Sequence, residues 1–382
     1  MNQQGCRETG RQNRKADKQN YGKKRKKAAG IAAGFLGAGL LAVWLLTGES
    51  GPNEEDAEVY KRAVSMQEQV DRLGLPGFRL EDYPVAMYDG KRDYVFYEGE
   101  IKKRAPVLET FAGTAWPAED HFEVIVPTVE QLDKLLSLAG GVEGMVSGSG
   151  YGANEQAATI WHEAFHAYQL TNYAILGEKV SPEELRQELE KDAQGREEGQ
   201  KREQGEKKTD GMADRKRAED QDALSEEEWI VEEVDKKAEI RKKLEAELRL
   251  LEEAAKLAFE IEKSDRENTD DIIELKKLAL NYLESHRQRL AEMPQTAAEA
   301  EIRCELTEGT AYYVESQVLR MQAGDGAYKE RYLDGLGGFE GGRGKYYRTG
   351  MAKCMILDQI APEWKDGFDF EQGLDAVLEE NM

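Results

Sequence analysis

The residues best equipped for chemistry lie in one short run, His162-Glu163-Ala164-Phe165-His166, in a chain of 382 residues with only 4 histidines. The run has the pattern HExxH. On a helix, residues four apart share a face, so His162 and His166 can offer imidazole nitrogens to one metal ion. Glu163 follows the first histidine directly, where it can take a proton from a water on that ion. Zinc lowers the pKa of such a water from about 15.7 to roughly 7, which yields a nucleophile at neutral pH. The pattern predicts one zinc ion per chain, with Glu163 as general base.

Positioning this run requires a buried helix. Gly148-Ser149-Gly150-Tyr151-Gly152 breaks the chain upstream, Asn154 is an N-cap candidate, and the helix is expected to reach about residue 176. Ile160, Ala164, Ala167 and Leu170 form its apolar stripe. Polar groups buried with such a stripe need a partner, and a metal supplies one. Three further helices follow. The first starts at a capping box, Ser225 and Glu228, and runs to about residue 261. The second covers about 270–291, with Ile272, Leu275, Ala279, Leu283, His286 and Leu290 on one face. His286 reads there as a satisfied core histidine, with a place in the site as the alternative. The third follows Met293-Pro294, with Thr296 and Glu299 as a capping box, and extends to about 321. One of its faces carries Glu301, Glu305, Glu308, Tyr312 and Glu315, either a solvated stripe or part of a site. Gly309 favours a site, because a mid-helix glycine costs about 1 kcal/mol against alanine and lets a second helix approach.

Ahead of the motif the chain reads as strands. Val85-Ala86-Met87-Tyr88, a turn at Asp89-Gly90, and Tyr94-Val95-Phe96-Tyr97 make a hairpin, and residues 122–127 make a further strand ended by Pro127. The fold expected is α+β and mostly α. A small antiparallel sheet precedes a helical core, with an N-terminal transmembrane helix and a long charged helical insertion. An edge strand of the sheet could pair with an extended peptide, or the sheet could only cover the core.

Charge and hydropathy divide the chain. The formal net charge is −23, yet residues 1–27 hold 10 Lys/Arg and 2 Asp/Glu, so this tail carries +8 and the remainder −31. An acidic body of this size argues against nucleic acid as a partner. Residues 28–47 carry no charge, and twenty helical residues span roughly 30 Å, the thickness of a hydrocarbon core. Five cations, Lys23-Lys24-Arg25-Lys26-Lys27, precede the run. The expectation is therefore a single-pass membrane anchor with a cytoplasmic N-terminus and an extracytoplasmic body. A cleaved signal peptide is the rival, but the run is long and no A-x-A site follows it. The boundaries read as a basic tail at 1–27, an anchor at 28–47 and a linker at 48–58. A sheet-containing lobe with the motif helix spans 59–180. A charged insertion and long helix cover 181–265, followed by a helical lobe at 266–382. Within the insertion, residues 187–222 have too few apolar side chains to offset the entropy of ordering. Of the 3 cysteines, Cys6 falls before the anchor, which leaves Cys304 and Cys354 as either a bridge or two free thiols.

Taken with Glu308 in Glu308-Gly309-Thr310-Ala311-Tyr312-Tyr313, the motif resembles the gluzincin type of zinc metallopeptidase, in which a later helix contributes a glutamate ligand. The resemblance implies a membrane-anchored peptidase acting on peptide or protein substrates, with zinc held by His162, His166 and Glu308 and with Glu163 as base. Two departures stand out. The interval from His166 to Glu308 is long, and the position four after Glu308 is Tyr312, not the aspartate that often orients a histidine ligand in such enzymes. Glu305 and Glu315 are then the candidates to support a histidine. Tyr312, Tyr313, Tyr346, Tyr347 and His286 are the candidates to steady an oxyanion. Two other readings compete: a catalytically inactive metalloprotein, and an envelope scaffold that binds a partner through its charged helices at 225–292. Oligomeric state has no signature in the sequence.

Overall fold

The sheet is built from β1 (Val85–Tyr88), β2 (Asp93–Tyr97), β3 (Glu100–Arg104), β4 (Thr114–Pro117) and β5 (Phe122–Pro127). In the computed structural model, which describes residues 52–132 except 109 and 111, 152–189 except 188, 226–264 and 269–382, these strands lie in the order β3-β2-β1-β5-β4. β1 and β2 form the expected hairpin, in register Val85↔Phe96 to Tyr88↔Asp93. Asp89 closes its turn by accepting from the Lys91 and Arg92 amides, and Gly90 takes the left-handed conformation there (φ +92°). The sheet is mixed, not antiparallel: β5 lies parallel to β1, with Val85 opposite Val124 and Met87 opposite Val126. Both strands are buried along their whole length. Apolar side chains on both faces are what a parallel pair under cover requires, and they leave no alternation from which to read direction. Among the described residues β4 pairs only with β5 and forms an edge.

α1 (Glu54–Ser65) is capped by Asn53, whose Oδ1 accepts from the Asp56 amide at 2.7 Å. It packs against α2 (Ala153–Asn172), the motif helix, which also rests on β5. Trp161 is fully buried between them and donates its indole N–H to the Ala63 carbonyl at 3.0 Å. Phe78 meets Trp161, Phe165 and Tyr168 in one aromatic cluster, with centroids 5.1–5.3 Å apart. Aromatic side chains buried this completely typically cost about 3–5 kcal/mol to truncate to alanine, so α2 is held rigidly. The helix starts one residue earlier than its expected cap. Gly152 is the N-cap and donates to the Glu155 carboxylate, while Asn154 instead accepts from Arg62. It ends at Asn172, because Tyr173 turns extended to pack on Phe370.

α3 (Ala238–Lys263) and α4 (Thr269–Leu290) pack along each other, and α3 also meets α7 (Gly344–Ile360). Leu251, Ala255, Ala258 and Phe259 of α3 belong to the same core as the motif helix, so this helix is integral to the body. α5 (Gln295–Cys304) begins after Pro294 with no side-chain cap, so the expected Thr296–Glu299 box is not formed. It runs into a π-helical turn, Glu305–Gly309, and then into α6 (Thr310–Tyr328). α7 crosses that turn at very close range. A Cβ on Gly309 would lie 2.6 Å from the Gly350 Cα, and a Cβ on Gly350 would lie 2.5 Å from the Glu305 carbonyl oxygen. Only two glycines permit this backbone contact. α8 (Leu374–Glu380) closes over α4 and α7.

The anchor at 28–47, the basic tail, the insertion at 187–222 (from residue 190) and Ser225 lie outside the described residues. No described helix is long and apolar enough to cross a membrane.

Candidate metal centre

α2 and the π-turn bring three donor atoms together. His166 Nε2 lies 3.1 Å from His162 Nε2 and 3.2 Å from Glu308 Oε2, and His162 Nε2 lies 3.6 Å from the same oxygen. Zinc bonds nitrogen and oxygen at about 2.0–2.1 Å, so two donors on a tetrahedron stand about 3.3 Å apart. The three separations fit that figure. One Nε2 proton could bridge the two rings as a hydrogen bond, whereas a shared cation would satisfy the two nitrogens and the carboxylate oxygen together.

Each donor is held from behind. His162 Nδ1 lies 2.9 Å from Glu315 Oε2, and Glu315 Oε1 accepts from the Tyr332 hydroxyl at 2.9 Å. His166 Nδ1 lies 3.0 Å from Gln169 Oε1. The Gln169 oxygen assigns the His166 proton to Nδ1 and turns its Nε2 lone pair inward, and the Glu315 carboxylate close to His162 Nδ1 favours the same tautomer there. Glu308 uses its other oxygen to accept from Arg343 Nη2 at 3.2 Å. Burial alone would raise the Glu308 carboxyl, but the two imidazoles beside it hold it well below the usual carboxylate range. Burial would likewise depress the imidazoles, yet the surrounding carboxylates raise both, His162 strongly. The same negative field favours a divalent cation.

Glu163 is buried beside the triad, and burial raises its carboxyl in spite of the two imidazoles. A Cβ on Gly113 would come within 2.5 Å of the Glu163 side chain, so the carboxyl rests on the backbone leading into edge strand β4. A raised carboxyl suits a base that must accept a proton and release it again.

The other sequence candidates divide sharply. Glu315 is the one of the two candidates that stands behind His162, at 2.9 Å from its Nδ1. Glu305 turns away to Lys353 Nζ (2.6 Å) and the Thr349 hydroxyl. The π-turn is the reason: its wider spacing rotates Glu308 away from the face that Glu305 shares with Glu301. Tyr347 stands by the triad, its ring centroid 6.5 Å from that of His162. Tyr312 packs edge-on to Tyr332 and Tyr347 one layer further out. Tyr313 points the opposite way and donates to Asp358 at 2.6 Å. Tyr346 is buried with Ile230, Ala300 and Cys304, away from the triad.

His286 belongs to a second constellation. Its Nδ1 lies 3.0 Å from Glu247, and its Nε2 lies 3.2 Å from Asp375 Oδ2. Arg289 spans Glu247 and Glu301, and Lys353 Nζ sits 2.6 Å from Glu305 and 2.8 Å from Asp375. His286, Glu305 and Asp375 could geometrically hold a metal, but the Lys353 ammonium already takes the cation's place. Cys304 and Cys354 are both buried and free, in separate clusters, so no bridge ties α5 to α7.

Sequence reasoning passed over Gln169, Tyr332, Arg343 and Gly113. Gln169 was within reach, since it lies three residues after His166 on the same helical face. The other three come from distant segments and carry no local pattern. No family model matches the chain, and no curated protein or solved structure matches it.

Proposed function

We propose that the chain is a zinc-dependent metallopeptidase that hydrolyses peptide bonds with Glu163 as general base. The observation that carries this reading is the convergence of His162 Nε2, His166 Nε2 and Glu308 Oε2, each oriented from behind. Zinc held there would act as a Lewis acid on a carbonyl and lower the pKa of a water to roughly 7. Glu163 takes the proton of the attacking water and returns it to the leaving amine. Arg343, which donates to Glu308, and Tyr347, whose ring stands beside His162, are the candidates to steady charge on the carbonyl oxygen. The outer edge of β4, which among the described residues has no strand beside it, leads to Glu163 through Gly113 and could take up an extended peptide, which favours a peptide substrate.

The test is zinc content and peptide cleavage in the same preparation. One zinc per chain is expected. Glu163→Gln, which keeps every metal donor, should lower cleavage by about 10²–10⁴-fold while zinc content stays the same. Undiminished cleavage in that variant, or a wild-type chain that takes up no zinc, would sink the proposal.

The body is proposed to work outside the cytoplasm, tethered through residues 28–47. The motivation is the uncharged run behind five cations. Carbonate extraction with protease accessibility on intact cells checks it, and a soluble form beginning near residue 48 would refute the anchor.

A further inference from the structure

We propose that Gln169 is a positioning residue that ties the orientation of His166 to the π-turn carrying Glu308, so that two of the three donors are set by one side chain. The inference rests on the zinc reading of the site. Gln169 is 1% exposed and bridges the two ligand-bearing elements. Its Nε2 lies 2.8 Å from Thr310 Oγ1, 3.1 Å from the Thr307 carbonyl and 3.4 Å from the Leu306 carbonyl, atoms that flank Glu308 on either side. Its Oε1 lies 3.0 Å from His166 Nδ1.

These contacts fix the amide in one orientation. Thr310 spends its only hydroxyl proton on the carbonyls of its own turn, 2.7 Å to Leu306 and 3.2 Å to Thr307, so toward Gln169 it can only accept. The two carbonyls can only accept as well. The NH₂ group must therefore face the turn and the carbonyl oxygen must face His166. That oxygen requires the proton on His166 Nδ1, which leaves the Nε2 lone pair for a cation. The chain of dependence runs from the backbone of the π-turn to the tautomer of a ligand on another helix. A π-turn annealed into a regular helix would turn these acceptors away and release both donors together.

The experiment uses the full chain with zinc affinity read by competition against a chromophoric chelator, and the visible spectrum of the cobalt-substituted protein. Gln169→Met preserves volume and removes both hydrogen-bonding ends. It should weaken zinc about 10–100-fold and alter the cobalt spectrum. Thr310→Val removes one acceptor and should act in the same direction by less. The double variant should be no weaker than Gln169→Met alone, because both changes break one chain of contacts. Wild-type affinity and an unchanged cobalt spectrum in Gln169→Met would overturn the inference, as would simple additivity in the double variant. If Gln169→Met does not fold, Thr310→Val decides: an unaltered spectrum and affinity there overturn it. A wild-type chain that binds no zinc would overturn the reading of the site itself.

Discussion

Two clusters in this molecule have the same chemical inventory, imidazole and carboxylate within bonding reach, and are built for opposite ends. Around His286 the chain brings its own cations. Lys353 reaches the point shared by Glu305 and Asp375, and Arg289 spans Glu247 and Glu301. Around His162 and His166 the nearest guanidinium, Arg343, engages the outer oxygen of Glu308 and leaves Oε2 to the histidines. Donor types and distances alone therefore do not mark a metal centre. What marks it is whether an ammonium or guanidinium of the chain stands at the focus.

The sharpest way to break this comparison is to remove one carboxylate from each cluster. Glu308→Ala should cost zinc more than the ~10–100-fold typical of an outer-shell partner, and should also lower the melting temperature of the metal-free chain, because in spite of burial the two imidazoles hold that carboxylate below its usual range. Glu305→Ala should spare the zinc. It leaves Lys353 with Asp375 alone in a buried position, which should cost about 3 kcal/mol of stability, with zinc content unchanged. Zinc titration and chemical denaturation of both variants read the two effects, and a swap of outcomes would invert the assignment.

A smaller effect separates the clusters by pH. Burial would depress the His286 imidazole, but Asp375 and Glu247 push it up to about 10. A raised value means that its contribution to stability is complete below the unfolded pKa of about 6.5 and is lost as pH rises through about 10. Asp375, held well below the usual range by Lys353 and His286 in spite of burial, contributes above about pH 3.9 and loses that contribution as pH falls. Thermal stability should thus decline on the alkaline side, and His286→Phe should flatten that decline. Zinc binding should respond as well, weakening as pH falls through the raised range of His162 and His166, where protons compete with the metal. An alkaline decline that survives in His286→Phe would show that other groups set it.

The parts legible in the sequence were those encoded by short spacing. His162, Glu163 and His166 share one helix turn, and Glu315 lies on the α6 face toward that helix. The hairpin was legible because Asp89-Gly90 dictates its turn. The parallel pairing of β1 with β5 was not, because strands buried on both faces lose the alternation that reports orientation. Glu305 was misplaced for a different reason. Its helix was read with a constant 3.6-residue period, and the turn at 305–309 does not keep it. Tyr332 reaches the site from a π-helical turn at Lys329–Leu333 and Arg343 from the N-cap of α7, placements that depend on the whole fold.

That wide turn also has a meaning for the history of the gene. Glu301 before it and Glu305 at its first residue keep phase with the ionic cluster, while Glu308 near its end and Glu315 after it keep phase with the histidines. One residue of α-helix corresponds to about 100° of rotation, so a single inserted codon is enough to set the two halves independently. A single deleted codon would force both to share one phase again, and either the interior ion pairs or the third donor would have to be given up.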